Sequence, residues 1–191
     1  MNVCIIGDGL TSLSLAKNLI NKKINVHIYH KNIVNKLSSS RTIGISKNNL
    51  DFFKKKILKI PKKFTWEIKK IEIYSEKLKK DKILNFENNN KILFYMVKND
   101  ELYKLLNNEL LKSKFFKKNI IKQENFYDKF LNKNNYDLII NCDQNNQISK
   151  KFFSKKIDKD YKNLAYTTIL AHRKLENNSA IQVFTGSGPI A

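Results

Sequence analysis

The sequence predicts an α/β fold: a nucleotide-binding domain opened by a βαβ unit and interrupted by antiparallel strands. Three observations predict it. An apolar run, Val3-Cys4-Ile5-Ile6, leads straight into Gly7-Asp8-Gly9-Leu10-Thr11-Ser12. Apolar residues then recur at helical spacing (Leu10, Leu13, Ala16, Leu19, Ile20) before an alternating pattern from Ile24 to Tyr29. From Trp66 to Val97 the helical period gives way to β-branched and aromatic residues.

The first strand ends in a Gly-x-Gly-x-x-Ser turn, in a chain with only 5 glycines among its 191 residues. Gly7 suits the backbone angles of a tight turn. Gly9 has no side chain, so a pyrophosphate can approach the backbone. The helix that follows directs its free N–H groups and positive dipole end at that anion. Ser12 is small, as close packing of helix on strand requires. Asn21-Lys22-Lys23 ends the helix, and Ile24-Asn25-Val26-His27-Ile28-Tyr29 forms the second strand. Strand, helix and strand within roughly 30 residues make the unit this fingerprint needs. The second strand of such a unit normally closes on an acid for a ribose hydroxyl. Here His30 and Lys31 stand there. Three readings stay open: a ribose-binding imidazole, a basic pair for a 2′-phosphate, or a solvated loop start.

Further along, a polar loop covers 32–40, and Ser38 to Ser46 leads into a helix over Lys47 to Leu58, with a break at Pro61. Ile68, Ile71, Ile73 and Tyr74, then Ile83 to Phe86, then Ile92 to Val97 read as an antiparallel meander. Asn99 is placed to cap a helix carrying Leu102, Leu105, Leu106, Leu110 and Leu111. Strands follow at Asn119 to Lys122 and Tyr136 to Asn141, the latter ending at Cys142-Asp143. Leu164 to Leu170 and Ala180 to Phe184 read as further strands.

The formal net charge is +20. Nucleic-acid sites lean on arginine for bidentate contacts, yet of 37 basic residues only Arg41 and Arg173 are arginine. The lysines are spread along the chain among Asn, Ile and Phe, which reads as solvated surface. Nucleic acid is therefore not the expected partner. Cys4 and Cys142 lack metal spacing and read as reduced thiols. The apolar start lacks a basic leader and is interrupted by Asp8, unlike a secretion signal. No run is long enough to span a membrane. His27 and His172 are isolated, no triad, carboxylate pair or metal cluster is present, and no catalytic residue is nominated.

This organisation resembles the FAD-dependent aromatic hydroxylases, and within them the ubiquinone-biosynthesis hydroxylases. Val3 to Ser12 is similar to the family's FAD fingerprint. Arg41-Thr42-Ile43-Gly44-Ile45-Ser46 is similar to its R-x-x-A-L-S segment, and Leu93 to Leu102 resembles the subfamily's LGYMVEN-x-x-L stretch. Asp137 to Asp143 resembles the second nucleotide motif, and Phe184 to Ala191 resembles F-x-x-x-GPLA. Departures are His30 for the ribose acid, Gln144 for a glycine, and Lys150 for an arginine. The family's third flavin motif, a Gly-Asp, lies further on, so the resemblance implies the N-terminal part of a longer enzyme.

The resemblance implies a Rossmann-like FAD-binding domain over 1–63 and 98–158, with substrate-domain β segments at 64–97 and 159–191. It implies an FAD-dependent monooxygenase that uses NAD(P)H and O₂ to hydroxylate a lipid-like aromatic ring, a ubiquinone precursor. Candidate cofactor-binding residues are Gly7, Gly9, Leu10, Ser12, His30, Arg41 and Asp143. The expected location is cytoplasmic, with peripheral contact at the inner face of a membrane or with other ubiquinone-biosynthesis proteins. Two rivals remain: an NAD(P)-dependent oxidoreductase without flavin, and a lysine-rich protein that binds nucleic acid or a membrane surface.

Overall fold

The computed structural model describes residues 1–31, 41–78, 81–121, 136–152, 159–170 and 177–191. The loop expected over 32–40, Lys122, His172 and Arg173 lie outside them. The chain divides into two compact units. One comprises Met1–Ser38, Lys56–Leu58 and Asn99–Thr167; the other comprises Ser39–Lys55, Lys59–Lys98 and Thr168–Ala191.

The first unit holds β1 (Asn2–Ile6), α1 (Leu10–Asn21), β2 (Asn25–Lys31), α3 (Asn99–Leu111), β8 (Phe116–Ile121), β9 (Leu138–Asn141) and α4 (Gln147–Phe152). The strands lie in the order β8-β2-β1-β9, and every pair is parallel. β1 is central, so both its faces are covered. That is why Val3, Cys4, Ile5 and Ile6 form a continuous apolar run rather than alternating. Leu13, Ala16 and Ile20 of α1 are buried, as are Leu102, Leu106 and Leu110 of α3, and the two helices pack together. On the other face Cys4, Ile6 and Ile148 form a cluster, joined by Tyr29, Ile121, Tyr136 and Ile139. Burial pushes the Cys4 thiol pKa up to about 12.

The end of α1 is tightly built. Ile24 N–H donates to the Leu19 carbonyl (3.2 Å) and Lys23 N–H to the Ile20 carbonyl (2.9 Å). This is a Schellman motif, and its left-handed position is held by Lys23 at φ 61° instead of the usual glycine.

The second unit holds β3 (Thr42–Ser46), α2 (Lys47–Lys56), β4 (Thr65–Ile68), β5 (Lys70–Ser75), β6 (Lys82–Glu87), β7 (Phe94–Lys98), β10 (Ser179–Thr185) and β11 (Gly188–Ile190). One sheet runs β11-β10-β5-β6 and the other β3-β7-β4. Ile45, Ile68 and Val97 are buried in the three-stranded sheet. On β5, Glu72 is ion-paired with Lys82 and with Lys70 (3.3 Å), and accepts a hydrogen bond from the Tyr74 hydroxyl (2.9 Å). The Lys82 ammonium, then the Tyr74 hydroxyl, hold its carboxyl down at about 2. The opposite face of the pair carries Ile71 across from Phe86 and Ile73 across from Leu84.

Four expectations need correction. Residues 66–97 do not form one meander: β5 pairs with β6, whereas β7 pairs in the other sheet with both β3 and β4. Only Lys69 separates β4 from β5, too little for a hairpin turn, so the chain crosses between sheets there. Leu164 to Leu170 is not a strand. It has no ladder partner among the described residues, and Leu164 and Tyr166 are 82% and 89% exposed. β-Propensity without a neighbour to pair with does not make a strand. Asn99 does not cap α3; its buried Oδ1 makes no hydrogen bond among the described residues. The α2 helix ends at Lys56 rather than Leu58, and the preceding segment is strand β3, whose Ser46 Oγ accepts from Asn49 N–H (3.2 Å) as the cap.

Candidate nucleotide-binding site

The glycine turn lies at the C-terminal end of β1, the side on which open parallel sheets bind ligands. Its two glycines answer to different demands. Gly7 sits at φ +106°, and an added Cβ would lie 3.3 Å from the Asp143 nitrogen and the Cys142 carbonyl carbon. The fold itself therefore requires glycine here. Gly9 sits at φ −71°, ψ 176°, open to any residue, and an added Cβ would meet nothing within 4 Å. Neither backbone angles nor described neighbours explain this glycine. The open space over it is what a pyrophosphate cradle leaves.

Gly9 is also the N-cap of α1. It offers no side-chain cap, and the first turn holds no acid. The early N–H groups of the helix are thus available to an anion. Leu10 opens the helix and Ser12 is 1% exposed, its Oγ lacking any hydrogen-bond partner among the described residues. These features fit the phosphate groups of a dinucleotide.

Asp143 follows β9. Cys142 N–H extends the ladder to the Ile6 carbonyl (2.8 Å), which brings Asp143 against Gly7. Its Oδ1 accepts from Asn145 N–H (2.9 Å), so part of its role is to close a turn. Asn146, buried at 1% exposure, caps α4 by accepting from Ser149 N–H (2.9 Å) and also binds Asn141. Gln144 and Lys150 are exposed.

His30, near the end of β2, is drawn to the turn. Its Nδ1 lies 3.0 Å from the Lys31 carbonyl and 3.5 Å from Asp8 Oδ2. Both are acceptors, so Nδ1 carries a proton. Asp8 Oδ2 also accepts from the Tyr103 hydroxyl (3.1 Å) and pairs with Lys118 Nζ (3.4 Å). Lys118 in turn donates to Tyr103 Oη (2.9 Å) and Asn107 Oδ1 (3.2 Å). Sequence reasoning missed Asp8, Tyr103, Asn107 and Lys118. The one local signal was an acid between the two glycines.

The structure thus brings Gly7, Gly9, Leu10, Ser12, His30 and Asp143 together in the first unit. Arg41 belongs to the second unit, exposed just before β3, without an ion pair to any described residue. Elsewhere in the first unit, a cavity of about 460 Å³ is lined by Asn2, Asn25, His27, Tyr29, Lys114 and Tyr136, among others. It contains none of the candidate residues. His27 Nδ1 and Tyr29 Oη both lie within hydrogen-bond distance of Tyr136 Oη (2.7 and 2.8 Å). Burial, then the Lys117 charge, lowers the His27 pKa. Among the described residues no His, Cys, Asp and Glu side chains group as metal ligands, and no helix is long and apolar enough to cross a membrane.

No protein-family model and no curated protein sequence matches the chain. Solved structures do. A mutant of PqsL from P. aeruginosa is 11% identical with a TM-score of 0.51, over 63% of this chain and 33% of that one. PqsL in complex with 2-aminobenzoylacetate gives 11% and 0.50 over the same shares. The p-nitrophenol 4-monooxygenase PnpA from Pseudomonas putida is 12% identical with a TM-score of 0.51, over 62% of this chain and 31% of that one. At these identities the likeness is one of fold: the mixed α/β architecture is that of these proteins. The chain spans about a third of the length of the structures it matches.

Proposed function

We propose that the chain is part of an FAD-dependent monooxygenase that hydroxylates an aromatic ring, with NAD(P)H as reductant, O₂ as oxidant and a ubiquinone precursor as substrate. The observation that carries it is Gly9, a glycine that neither its backbone angles nor any described neighbour requires, at the mouth of an uncapped helix behind a parallel strand. The fold likeness supports it: PnpA is a p-nitrophenol 4-monooxygenase, and PqsL is a probable FAD-dependent monooxygenase.

In this reading Gly7 shapes the turn, while Gly9 and the N–H groups of Leu10 and Ser12 bind the pyrophosphate. Asp143, against Gly7 after the end of β9, would be a further contact to the cofactor. Arg41 is carried as a further candidate for binding FAD. Residues 1–63 and 98–158 form the FAD domain, and 64–97 with 159–191 belong to the substrate domain. FAD, held by the glycine turn, would supply the redox chemistry, hydride acceptance and O₂ activation, for an electron-rich ring. The chain's own residues bind, orient and shield. Dispersed lysines serve peripheral docking on an anionic membrane surface, where a lipid-like substrate resides, or contact with other ubiquinone-biosynthesis proteins.

The test is purification of the chain, and of any form extended past Ala191, followed by titration with FAD. Flavin bound stoichiometrically to either form, with NAD(P)H-dependent hydroxylation of a ubiquinone-precursor phenol by the extended form, is the expected result. Absence of flavin binding in both forms contradicts it. A second reading, an NAD(P)-dependent oxidoreductase without flavin, draws on the basic pair His30-Lys31 at the end of β2. Saturable NADPH binding with no FAD binding would favour it.

A further inference from the structure

The end of β2 lacks the acid that a dinucleotide site uses to hold the adenosine ribose. A carboxylate reaches the same place by another route. Asp8, from the glycine turn, puts Oδ2 within 3.5 Å of the imidazole that occupies the acid's position. Side chains from three further elements converge on that one oxygen: His30 from β2, Tyr103 from α3 and Lys118 from β8. The side chains of His30 and Lys118 are only 15% and 18% exposed, so this is no solvated surface pair. Asn107 fixes Lys118 from one helical turn beyond Tyr103. All three groups act on Oδ2. Oδ1 has no hydrogen bond or ion pair to any described residue, and the Asp8 side chain keeps 36% exposure.

We propose that Asp8 supplies the ribose-binding carboxylate of this site, with Oδ1 accepting a hydrogen bond from a hydroxyl of the adenosine ribose. His30, its Nδ1 turned toward Lys31 and Asp8, leaves Nε2 to hydrogen-bond the neighbouring hydroxyl. Tyr103 and Lys118 are positioning residues that fix the carboxylate. The assignment rests on the dinucleotide reading above and adds to it which group reads the sugar.

The test compares ADP with 2′-deoxy-ADP and 3′-deoxy-ADP as probes of the full chain, by calorimetric or NMR titration. Loss of a hydrogen bond to a charged acceptor weakens binding by about 10-fold or more. The wild type is expected to bind at least one deoxy analogue about 10-fold more weakly than ADP. In Asp8→Ala that ratio falls to about 1. A merely structural role would weaken all three probes alike and leave the ratio unchanged, which overturns the proposal. Tyr103→Phe, which removes one donor from Oδ2, serves if Asp8→Ala does not fold; it should shrink the ratio about 2-fold or more, and an unchanged ratio counts against the proposal. Failure of the wild type to bind ADP or FAD at all defeats the dinucleotide reading itself, a result distinct from an intact ratio in the variants.

Discussion

Substituting each glycine of the turn in isolation should separate folding from binding. In Gly7→Ala the new Cβ meets backbone atoms of Cys142 and Asp143 at 3.3 Å, and alanine must adopt φ +106°. A backbone so far from its allowed regions costs about 1–3 kcal/mol, and the contact adds to that because both neighbours are main chain. A drop in melting temperature of roughly 5–10 °C is expected if the sum is about 2–3 kcal/mol. In Gly9→Val the new Cβ meets no described atom within 4 Å and the backbone keeps φ −71°. Losing glycine at an N-cap costs up to about 1 kcal/mol, offset by a gain of about 0.4–1 kcal/mol from a stiffer unfolded chain. Stability should therefore stay within about 1 kcal/mol of wild type. FAD affinity should nevertheless fall by about 10-fold or more, because N–H contacts to charged oxygens, worth about 1.5–3 kcal/mol each, are blocked. Differential scanning fluorimetry and FAD fluorescence titration on the same samples read both quantities. Equal destabilisation by the two substitutions would refute the reasoning, since Gly9 would then serve the fold. Unchanged FAD affinity in Gly9→Val would refute the cradle.

Lys23→Gly should stabilise the chain by about 1 kcal/mol, because a non-glycine left-handed residue costs about 1–2 kcal/mol and Lys23 is exposed; chemical denaturation reads the shift. The Glu72 carboxyl is held at about 2, below its usual value. Its contribution to stability is therefore present above the unfolded carboxyl range near 4.5 and is lost as pH falls toward 2. Thermal melts between pH 5 and 2 should decline more steeply in the wild type than in Glu72→Gln, and parallel curves would contradict this. Cys4, fully buried with its thiol pushed up to about 12, should resist alkylation in the native state while half-buried Cys142 reacts first, as peptide mapping after limited iodoacetamide treatment would show.

The first βαβ unit was legible because its signals are local. Val3 to Ile6 is apolar without a break, as only a doubly covered strand needs to be, and the glycines and helical spacing follow at once. What escaped depends on partners far away in sequence. β3 is largely exposed and exists through its pairing with β7 some 50 residues on. Leu164 to Leu170 has as much strand character as β3, yet no described strand lies beside it. The split of residues 66–97 between two sheets turns on the single linking residue Lys69. In the candidate site, the glycines could be read from the turn alone. The carboxylate cluster could not, because Asp8, His30, Tyr103 and Lys118 are gathered by the sheet order β8-β2-β1 and by α3 packing on α1. No pattern in the sequence encodes that convergence.

The central claim is that FAD binds at the Gly7–Ser12 turn, and amide NMR on the ¹⁵N-labelled chain titrated with FAD tests it directly. The predicted result is saturable shifts concentrated at Gly7, Asp8, Gly9, Leu10 and Ser12, accompanied by His30 and Asp143, and abolished in Gly9→Val. Shifts centred on β5 and β6, or a spectrum that FAD leaves unchanged, would contradict it.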